Sequence, residues 1–190
     1  MARLKALSFE SPREFRSWLE RNHASSPGLW LRIFKKDSGQ KAITYAEALD
    51  QALCYGWIDG QKQPYDELYW LQKFTPRRAK SGWSKRNTQH VERLVRAGRM
   101  ARAGLEAVAA AKADGRWQTA YDSPRNAAPP EDFLRTLAGN KNAQAFFEAL
   151  NKANIYAIVY RLQTAKKPQT LEKRLKMIVE MLSRGEKFHP

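Results

Sequence analysis

The stretch WIDGQKQPYDELYWLQKFT, residues 57–75, decides the fold of this chain. Residues 57–61 and 69–75 are predicted as two short strands. A polar loop around Pro64 and Asp66 joins them. Because this loop is too short for a crossover connection, we expect the two strands to pair antiparallel in a small sheet.

A third strand is predicted upstream, where residues 28–36 alternate like a strand with two different faces. Its two sides are Leu29, Leu31 and Ile33 on one, and Trp30, Arg32 and Phe34 on the other. Helices are predicted before and after it. A capping-box pattern at Ser11 opens the first helix, and a second pattern at Thr44 opens another that runs to about Cys54.

The chain after Trp83 is predicted to be helical apart from a linker. The expected helices lie at about 84–97, 101–113, 131–137, 142–151, 153–165 and from Thr170 onward. Proline and serine at 121–130 are typical of a linker. We therefore expect an α+β fold, a small antiparallel sheet packed by helices with a helical C-terminal region. The predicted domains are an α+β core with the basic aromatic segment (1–118), a linker (119–130) and a helical C-terminal module (131–190).

The last predicted helix has one apolar stripe, formed by Leu171, Leu175, Ile178 and Leu182. Two pairs on its polar side, Glu172/Lys176 and Glu180/Arg184, are spaced for surface ion pairs. If this stripe were exposed in the monomer, it would favour a protein–protein scaffold or dimerisation module.

Composition indicates a folded protein of the cytoplasm. Hydrophobic residues make up 43% of the 190, and no apolar run approaches the roughly 18 residues that a membrane span requires. The segment up to Phe15 lacks the apolar stretch of a signal peptide. Cys54 is the single cysteine and cannot form an internal disulfide, which suits a reducing compartment. We expect a cytoplasmic location and no integral membrane segment.

The charge is the unusual quantity, because 34 basic and 19 acidic residues give a net +15. Such an excess raises the local concentration of polyanions and speeds encounters with them. Nucleic acid is the first partner to consider, and an acidic protein or an anionic envelope component is the second. The alternative is that the charge only keeps the protein in solution.

The basic charge is concentrated in residues 62–102, with eleven Lys or Arg, three acids and several aromatic residues. The candidates for an anion-binding surface are Arg77, Arg78, Trp83, Lys85 and Arg86. Arginine binds phosphate with a planar fork, and aromatic rings stack on bases without sequence preference. The alternative, favoured for each aromatic taken alone, is that the rings are core residues and the cations a solvated face.

The helix predicted after Ser84 extends this surface. Arg86, His90 and Arg93 fall on one face at helical spacing, so they could lie along a phosphate backbone. The amides at the start of such a helix would add an anion site.

Asp59 is the most informative single acid, since acids are disfavoured in strands. It is predicted either to pair with Arg77 or Arg78 across the sheet or to line a polar pocket. The pocket reading gives the rival function, a small-molecule site or an unrecognised enzyme. Its residues would be Trp57, Asp59, Arg77 and Asn87. Gly60 beside Asp59 is typical of a bulge.

Sequence patterns of known catalytic sites are missing. The three histidines are scattered, none with metal-ligand spacing, and there is no glycine-rich phosphate loop. Cys54 lies on an apolar helix face, where a buried structural thiol is more common than a nucleophile. We therefore expect no metal and no cofactor, and a binding protein rather than an enzyme.

Four quoted segments resemble the YdeI/OmpD-associated family. They are EALDQALCYGWIDGQ (47–61), YWLQKFTPRRAKSGWSKRN (69–87), VERLVRAGRM (91–100) and AKKPQTLEKRLKMIVEMLSRG (165–185). Members of that family are labelled as bacteriocin-protection or porin-associated proteins. The resemblance implies a link to antimicrobial-peptide tolerance, with no enzymatic activity attached. The leading hypothesis is a cytoplasmic, non-catalytic protein of this family that binds an anionic partner.

Overall fold

The computed structural model describes residues 4–165 and 167–190. Residues 1–3 of the predicted α+β core and Lys166 of the predicted helical module lie outside the described residues. The chain divides into two compact units. The first takes Met1–Ser81 and Asn87–Trp117, and the second takes Gly82–Arg86 and Gln118–Pro190. The domain bounds inferred from the sequence stay a prediction.

The first unit is built on a sheet of four strands among the described residues, in the order β1-β2-β4-β3. The strands are β1 (Ala6–Leu7), β2 (Leu29–Phe34), β3 (Trp57–Pro64) and β4 (Tyr69–Pro76). β3 and β4 form the predicted antiparallel hairpin, and β4 also pairs antiparallel with β2. The α+β fold class is confirmed.

Strand β1 is missing from the sequence prediction. It has only two residues, too few for any alternation of polar and apolar side chains to be visible. Ala6 pairs with Trp30 and Leu7 with Leu31 in parallel register, so this edge departs from the antiparallel pattern expected of the sheet. The chain makes the crossover between these parallel strands through a helix, as parallel strands require.

That crossover helix, α1 (Pro12–Asn22), and α2 (Tyr45–Cys54) cover one face of the sheet. Ser11 caps α1, and Thr44 forms a complete capping box with Glu47 at the start of α2, both as predicted. The predicted alternation of β2 is also confirmed. The side chains that fill this inner layer are Phe15, Leu19, Leu29, Leu31, Ile33, Leu49, Leu53 and Phe74.

Helices α3 (Lys85–Arg96) and α4 (Arg102–Ala113) follow, separated by Gly98 at a φ of 63°. The left-handed backbone of Gly98 ends α3 where the sequence predicts. α4 approaches the end of α2 so closely that a Cβ at Gly104 would overlap the Cys54 carbonyl oxygen. The Ala101 N–H donates to the same oxygen at 3.0 Å, which joins the two helices.

The second unit contains α5 (Glu131–Ala138), α6 (Lys141–Glu148), α7 (Lys152–Gln163) and α8 (Pro168–Ser183). Its core is formed by Phe133, Leu137, Ala143, Phe147, Ile158, Leu162, Ile178, Val179 and Leu182. α8 begins two residues earlier than predicted, because proline fits the first position of a helix.

The apolar stripe of α8 packs within the second unit. Ile178 and Leu182 are fully buried, and Leu171 and Leu175 pack against the same core while remaining partly exposed. The exposed stripe that would favour a scaffold or dimerisation module is therefore not what the structure shows. The predicted Glu180/Arg184 pair is also replaced, since Arg184 bonds Glu186 at 2.9 Å.

Candidate functional site

Three of the predicted site residues are buried. Trp57 and Trp83 are each 1% exposed, and Asn87 is 8% exposed. The Trp57 indole N–H donates to the His23 carbonyl oxygen at 3.1 Å, and its ring meets that of Trp18 edge-on. A buried ring cannot stack on a nucleobase. For Trp83 the alternative interpretation, that the ring is a core residue, is confirmed, and Trp57, predicted for the pocket, is buried as well.

Asp59 is hydrogen-bonded by a phenol, and its pairing with Arg77 or Arg78 and its alternative place in a polar pocket stay predictions. The Tyr45 hydroxyl donates to the Asp59 carboxylate at 2.6 Å. Because Tyr45 is the first residue of α2 and Asp59 lies in β3, this bond ties the helix to the sheet. The register of β3 shifts between Asp59 and Lys62, which confirms the bulge predicted at Gly60. Arg77, just after β4, is half-buried.

His90 and Arg93 lie together against a carboxylate that sequence reasoning missed. Asp50 of α2 is 8% exposed and accepts hydrogen bonds from Arg93 Nη2 at 2.6 and 2.7 Å. His90 Nδ1 lies 3.0 Å from the same carboxylate, and Arg99 Nη1 lies 3.7 Å from it. We refer to Asp50, His90, Arg93 and Arg99 as the Asp50 cluster.

The electrostatics of the Asp50 cluster favour the ion pairs. Burial acts to raise the pKa of Asp50, but hydrogen bonds from Arg93 and His90 and their charges outweigh it. The pKa of Asp50 therefore lies below its ordinary value, and that of Arg93 is raised by the same bond. Since these cations hold a buried carboxylate and join α2 to α3, their charge serves the fold.

The remaining predicted cations are exposed. Lys85 Nζ lies 3.0 Å from the Asp122 carboxylate, within the second unit. Arg78 and Arg86 are exposed, and neither side chain bonds another residue in the described ranges 4–165 and 167–190. Of the four cations proposed from the sequence around Trp83, Arg78 and Arg86 therefore keep a charge without a carboxylate partner in the described part of the chain.

Catalytic groups are equally sparse. Cys54 is fully buried, and that burial raises the pKa of its thiol, as expected for a structural cysteine. No group of three or more His, Cys, Asp or Glu side chains in the described part of the chain could hold a metal ion.

The side of the sheet opposite α1 and α2 carries a second set of aromatic and basic residues. We define this outer sheet face by the side chains that the register places together on β2 and β4: Trp30, Arg32, Phe34, Tyr69, Leu71 and Lys73. Trp30 lies opposite Lys73, Arg32 opposite Leu71 and Phe34 opposite Tyr69. All but Leu71, which is 8% exposed, remain partly accessible.

Cations and rings alternate across the outer sheet face. The Arg32 guanidinium lies 5.4 Å from the centroid of the Tyr69 ring, and Lys73 Nζ lies 5.7 Å from that of Trp30. The Phe34 and Tyr69 rings are 5.4 Å apart. Neighbouring side chains on one face of a strand are about 7 Å apart. The face therefore offers three partly exposed rings, each beside a cation or another ring.

The hairpin loop between β3 and β4 extends this row of rings. Tyr65 is 61% exposed and stacks on Tyr69, with ring centroids 4.8 Å apart and an interplanar angle of 16°. Asp66 accepts hydrogen bonds from the Leu68 and Tyr69 N–H groups and so fixes the loop. The pKa of Tyr69 is raised by desolvation and by the neighbouring Tyr65.

The charges of the outer sheet face are not neutralised. Among the residues that the structure describes, Arg32 and Lys73 have ring contacts and no carboxylate within ion-pair distance. Arg32 Nε also lacks a hydrogen-bond acceptor there. This distinguishes Arg32 and Lys73 from the cations of the Asp50 cluster, whose charge is paired with the Asp50 carboxylate.

Two sequence signals pointed to this face: the alternation of β2, and the basic aromatic segment 62–102 that contains Tyr69 and Lys73. The alternation places Trp30, Arg32 and Phe34 on one side of the strand, but it does not show which residues lie across from them. Tyr69 and Lys73 are brought there by the register of β4, which the sequence alone does not determine.

Fold and site define a class: an α+β protein with a helical second unit and an exposed aromatic, basic sheet face. Residues 7–107, just over half of the chain, match the model of one family. The chain belongs to that family, which is described as "Domain of unknown function (DUF8412)".

Residues 126–185 match a second family model, described as "Bacteriocin-protection, YdeI or OmpD-Associated". This confirms the resemblance predicted from the sequence and places it in the helical C-terminal part. The motifs quoted from residues 47–100 lie within the other match. No curated protein and no solved structure matches the chain. In the described part, no helix is both long and apolar enough to cross a membrane.

Proposed function

We propose that this protein binds single-stranded nucleic acid on the outer sheet face, without catalysing a reaction on it. The observation that carries the proposal is the pair Arg32 and Lys73, which lie against aromatic rings and have no carboxylate partner among the described residues. A cation held beside a ring provides a phosphate contact next to a stacking surface.

The partly exposed rings of the outer sheet face favour an unpaired strand over a duplex. Unpaired bases can splay out and stack on aromatic rings, and a four-stranded sheet with exposed aromatics is a common platform for this. Trp30, Phe34 and Tyr69 present such rings, and Tyr65 continues the row. Base–aromatic stacking contributes about 1–3 kcal/mol per base and tolerates any sequence.

The net charge of +15 supports the proposal by raising the encounter rate with a polyanion. The salt dependence of binding would separate phosphate contacts from this general attraction. Each phosphate contact on a single strand changes the slope of log K against log salt by about −0.7.

The test compares two variants that remove the same charge. Arg32→Gln/Lys73→Gln changes the outer sheet face, and Arg78→Gln/Arg86→Gln changes the exposed cations of the surface first predicted from the sequence. Fluorescence anisotropy would follow labelled single-stranded RNA, single-stranded DNA and duplex DNA at several salt concentrations, with heparin as competitor.

We expect the wild-type protein to prefer single strands, and the first variant to reduce the salt slope by about 1.4. The second variant should keep the wild-type slope. Equal losses in both variants would show attraction to charge alone, and a loss only in the second would move the site to residues 77–86. Either result, or equal affinity for duplex and single strands, rejects the proposal.

The proposal has two further parts, the cellular location and the link to bacteriocin tolerance, and each rests on a different observation. We place the binding in the cytoplasm because the single cysteine, Cys54, is reduced and buried. The link to bacteriocin tolerance rests on the description of the family that residues 126–185 match. Fractionation of cells and a bacteriocin-survival assay on a deletion strain would test these two statements, independently of the binding experiment.

A further inference from the structure

The second unit contains a groove that is lined by part of its own core and by the apolar stripe of α8. It has a volume of about 560 Å³ and lies along α5, the end of α7 and the first half of α8. Phe133, Leu162, Leu171 and Leu175 supply most of its apolar wall. Its size is in the range of pockets that enclose small organic ligands.

Among the described residues, the charged side chains that line this groove are both acids, Asp132 and Glu172. This is unexpected in a chain with 34 basic and 19 acidic residues. Asp132 is bonded by Arg135 on the same helix. Glu172 has no ion-pair or hydrogen-bond partner in the described part of the chain, so the Glu172/Lys176 pair predicted from spacing is not formed there.

The other polar lining residue, Gln163, is already engaged. Its Nε2 donates to the Asp122 carboxylate at 2.9 Å, and its Oε1 accepts from the Asp122 N–H at 3.0 Å. Both ends of the amide are therefore used inside the fold, and Glu172 is the polar group of the groove that is left to bind a ligand.

From this geometry we propose that the groove binds a small amphiphilic cation, an apolar group carrying a protonated amine. The apolar part lies against Phe133, Leu171 and Leu175, and the ammonium group pairs with the Glu172 carboxylate. Arg135 already matches Asp132 and Glu172 is exposed, so the ammonium group gains a partly exposed ion pair with Glu172.

Three probes of one chain length test the head-group preference: n-octylammonium, n-octanol and n-octanoate, each below its aggregation concentration. Titration of ¹³C-methyl signals from the leucines would measure the affinities and show whether Leu171 and Leu175 are contacted. We expect the ammonium to bind about three- to fivefold more tightly than the alcohol, as for a partly exposed ion pair, and the carboxylate to bind most weakly.

Glu172→Gln removes the charge with little change of shape, and Glu180→Gln removes the same charge from the exposed side of the same helix. The first variant should bind the ammonium no better than the alcohol, and the second should behave as the wild type. Equal binding of all three probes, tightest binding of octanoate, or equal losses in both variants would overturn the proposal. Circular dichroism would establish that each variant is folded.

Discussion

The outer sheet face of the first unit and the groove of the second unit combine apolar surface with charge in opposite ways. On the sheet face, partly exposed rings lie beside Arg32 and Lys73. In the groove, Phe133 and three leucines form an apolar wall, and the charged lining residues among those described are acids. A basic sheet face with rings suits a polyanion with planar bases, whereas an apolar groove with acids suits a small cation.

The comparison also shows that a high net charge does not identify a binding surface. Arg93 and Arg99 surround Asp50, and Lys85 lies against Asp122, so these charges are matched locally. The informative quantity is whether a cation has a carboxylate partner. That criterion separates Arg32 and Lys73 from these matched cations, and the aromatic rings beside them separate them from the exposed Arg78 and Arg86.

The largest effect is expected from a core substitution that destabilises the second unit and leaves the first unit intact. Phe133 is fully buried in the second-unit core and lines the groove. Phe133→Ala should destabilise the protein by about 3–5 kcal/mol, measured by urea unfolding, and abolish octylammonium binding. The affinity for a single strand should stay within twofold of the wild type.

The matched variant is Phe15→Ala, which removes a fully buried ring from the first unit, where Phe15 contacts Phe74. It should have the reverse pattern and weaken nucleic-acid binding while octylammonium still binds. If both ligands are lost in both variants, the two sites are not separable and the comparison fails.

A smaller effect is expected from Asp50→Asn, which leaves the cations of the Asp50 cluster without their carboxylate. The loss of stability near pH 7 should be roughly 2 kcal/mol. Because the folded-state pKa of Asp50 is lowered, its contribution is present above the unfolded pKa of about 3.9 and is lost as pH falls through the folded value.

Urea unfolding of wild type and Asp50→Asn at pH 7 and at pH 3 or below measures this dependence, with Asp37→Asn as an exposed control. The difference between wild type and Asp50→Asn should shrink at the lower pH. A constant difference at both pH values would show that the carboxylate charge is not the source of the stability.

Tyr69 is the residue at which the rings of the outer sheet face and the hairpin loop meet, since it contacts Phe34, Tyr65 and Arg32. Tyr69→Leu should weaken single-strand binding by about 5- to 150-fold, the equivalent of one stacked base. Anisotropy at constant salt measures the change. Tyr160→Leu, at a partly exposed tyrosine of the second unit, should leave the affinity unchanged.

The fold was predictable where the determinant is local. Capping boxes at Ser11 and Thr44, the alternation of β2 and the glycine after α3 each specify an element from a few adjacent residues. β1 was missed because two residues carry no periodicity. The start of α8 was placed late because Pro168 was taken to precede the helix rather than to begin it.

The candidate sites depend on residues that are distant in sequence. Asp50 and Arg93 are 43 residues apart, and no sequence pattern in either segment predicts that they pair. Trp30 and Lys73 meet only through the register of two strands. The groove needs three helices, so its acidic lining cannot be read from the net charge. The basic segment 62–102 was a useful region to choose, but its Trp83 is buried and cannot stack on a nucleobase.

The smallest expected effect concerns two cations of the first unit. Lys73→Gln removes a cation that contacts a ring, whereas Arg93→Gln removes one that is bonded to Asp50. Both variants lower the net charge by one. If charge without a carboxylate partner marks the binding surface, Lys73→Gln should reduce the salt slope of single-strand binding by about 0.7 and Arg93→Gln should not change it.

Stability should respond in the reverse order, because the bond from Arg93 holds a largely buried carboxylate and the contact of Lys73 lies on a partly exposed face. Urea unfolding of the same two variants measures this. A slope that changes equally in both variants would mean that the polyanion senses total charge, and the distinction between ring-bound and carboxylate-bound cations would then have no functional meaning.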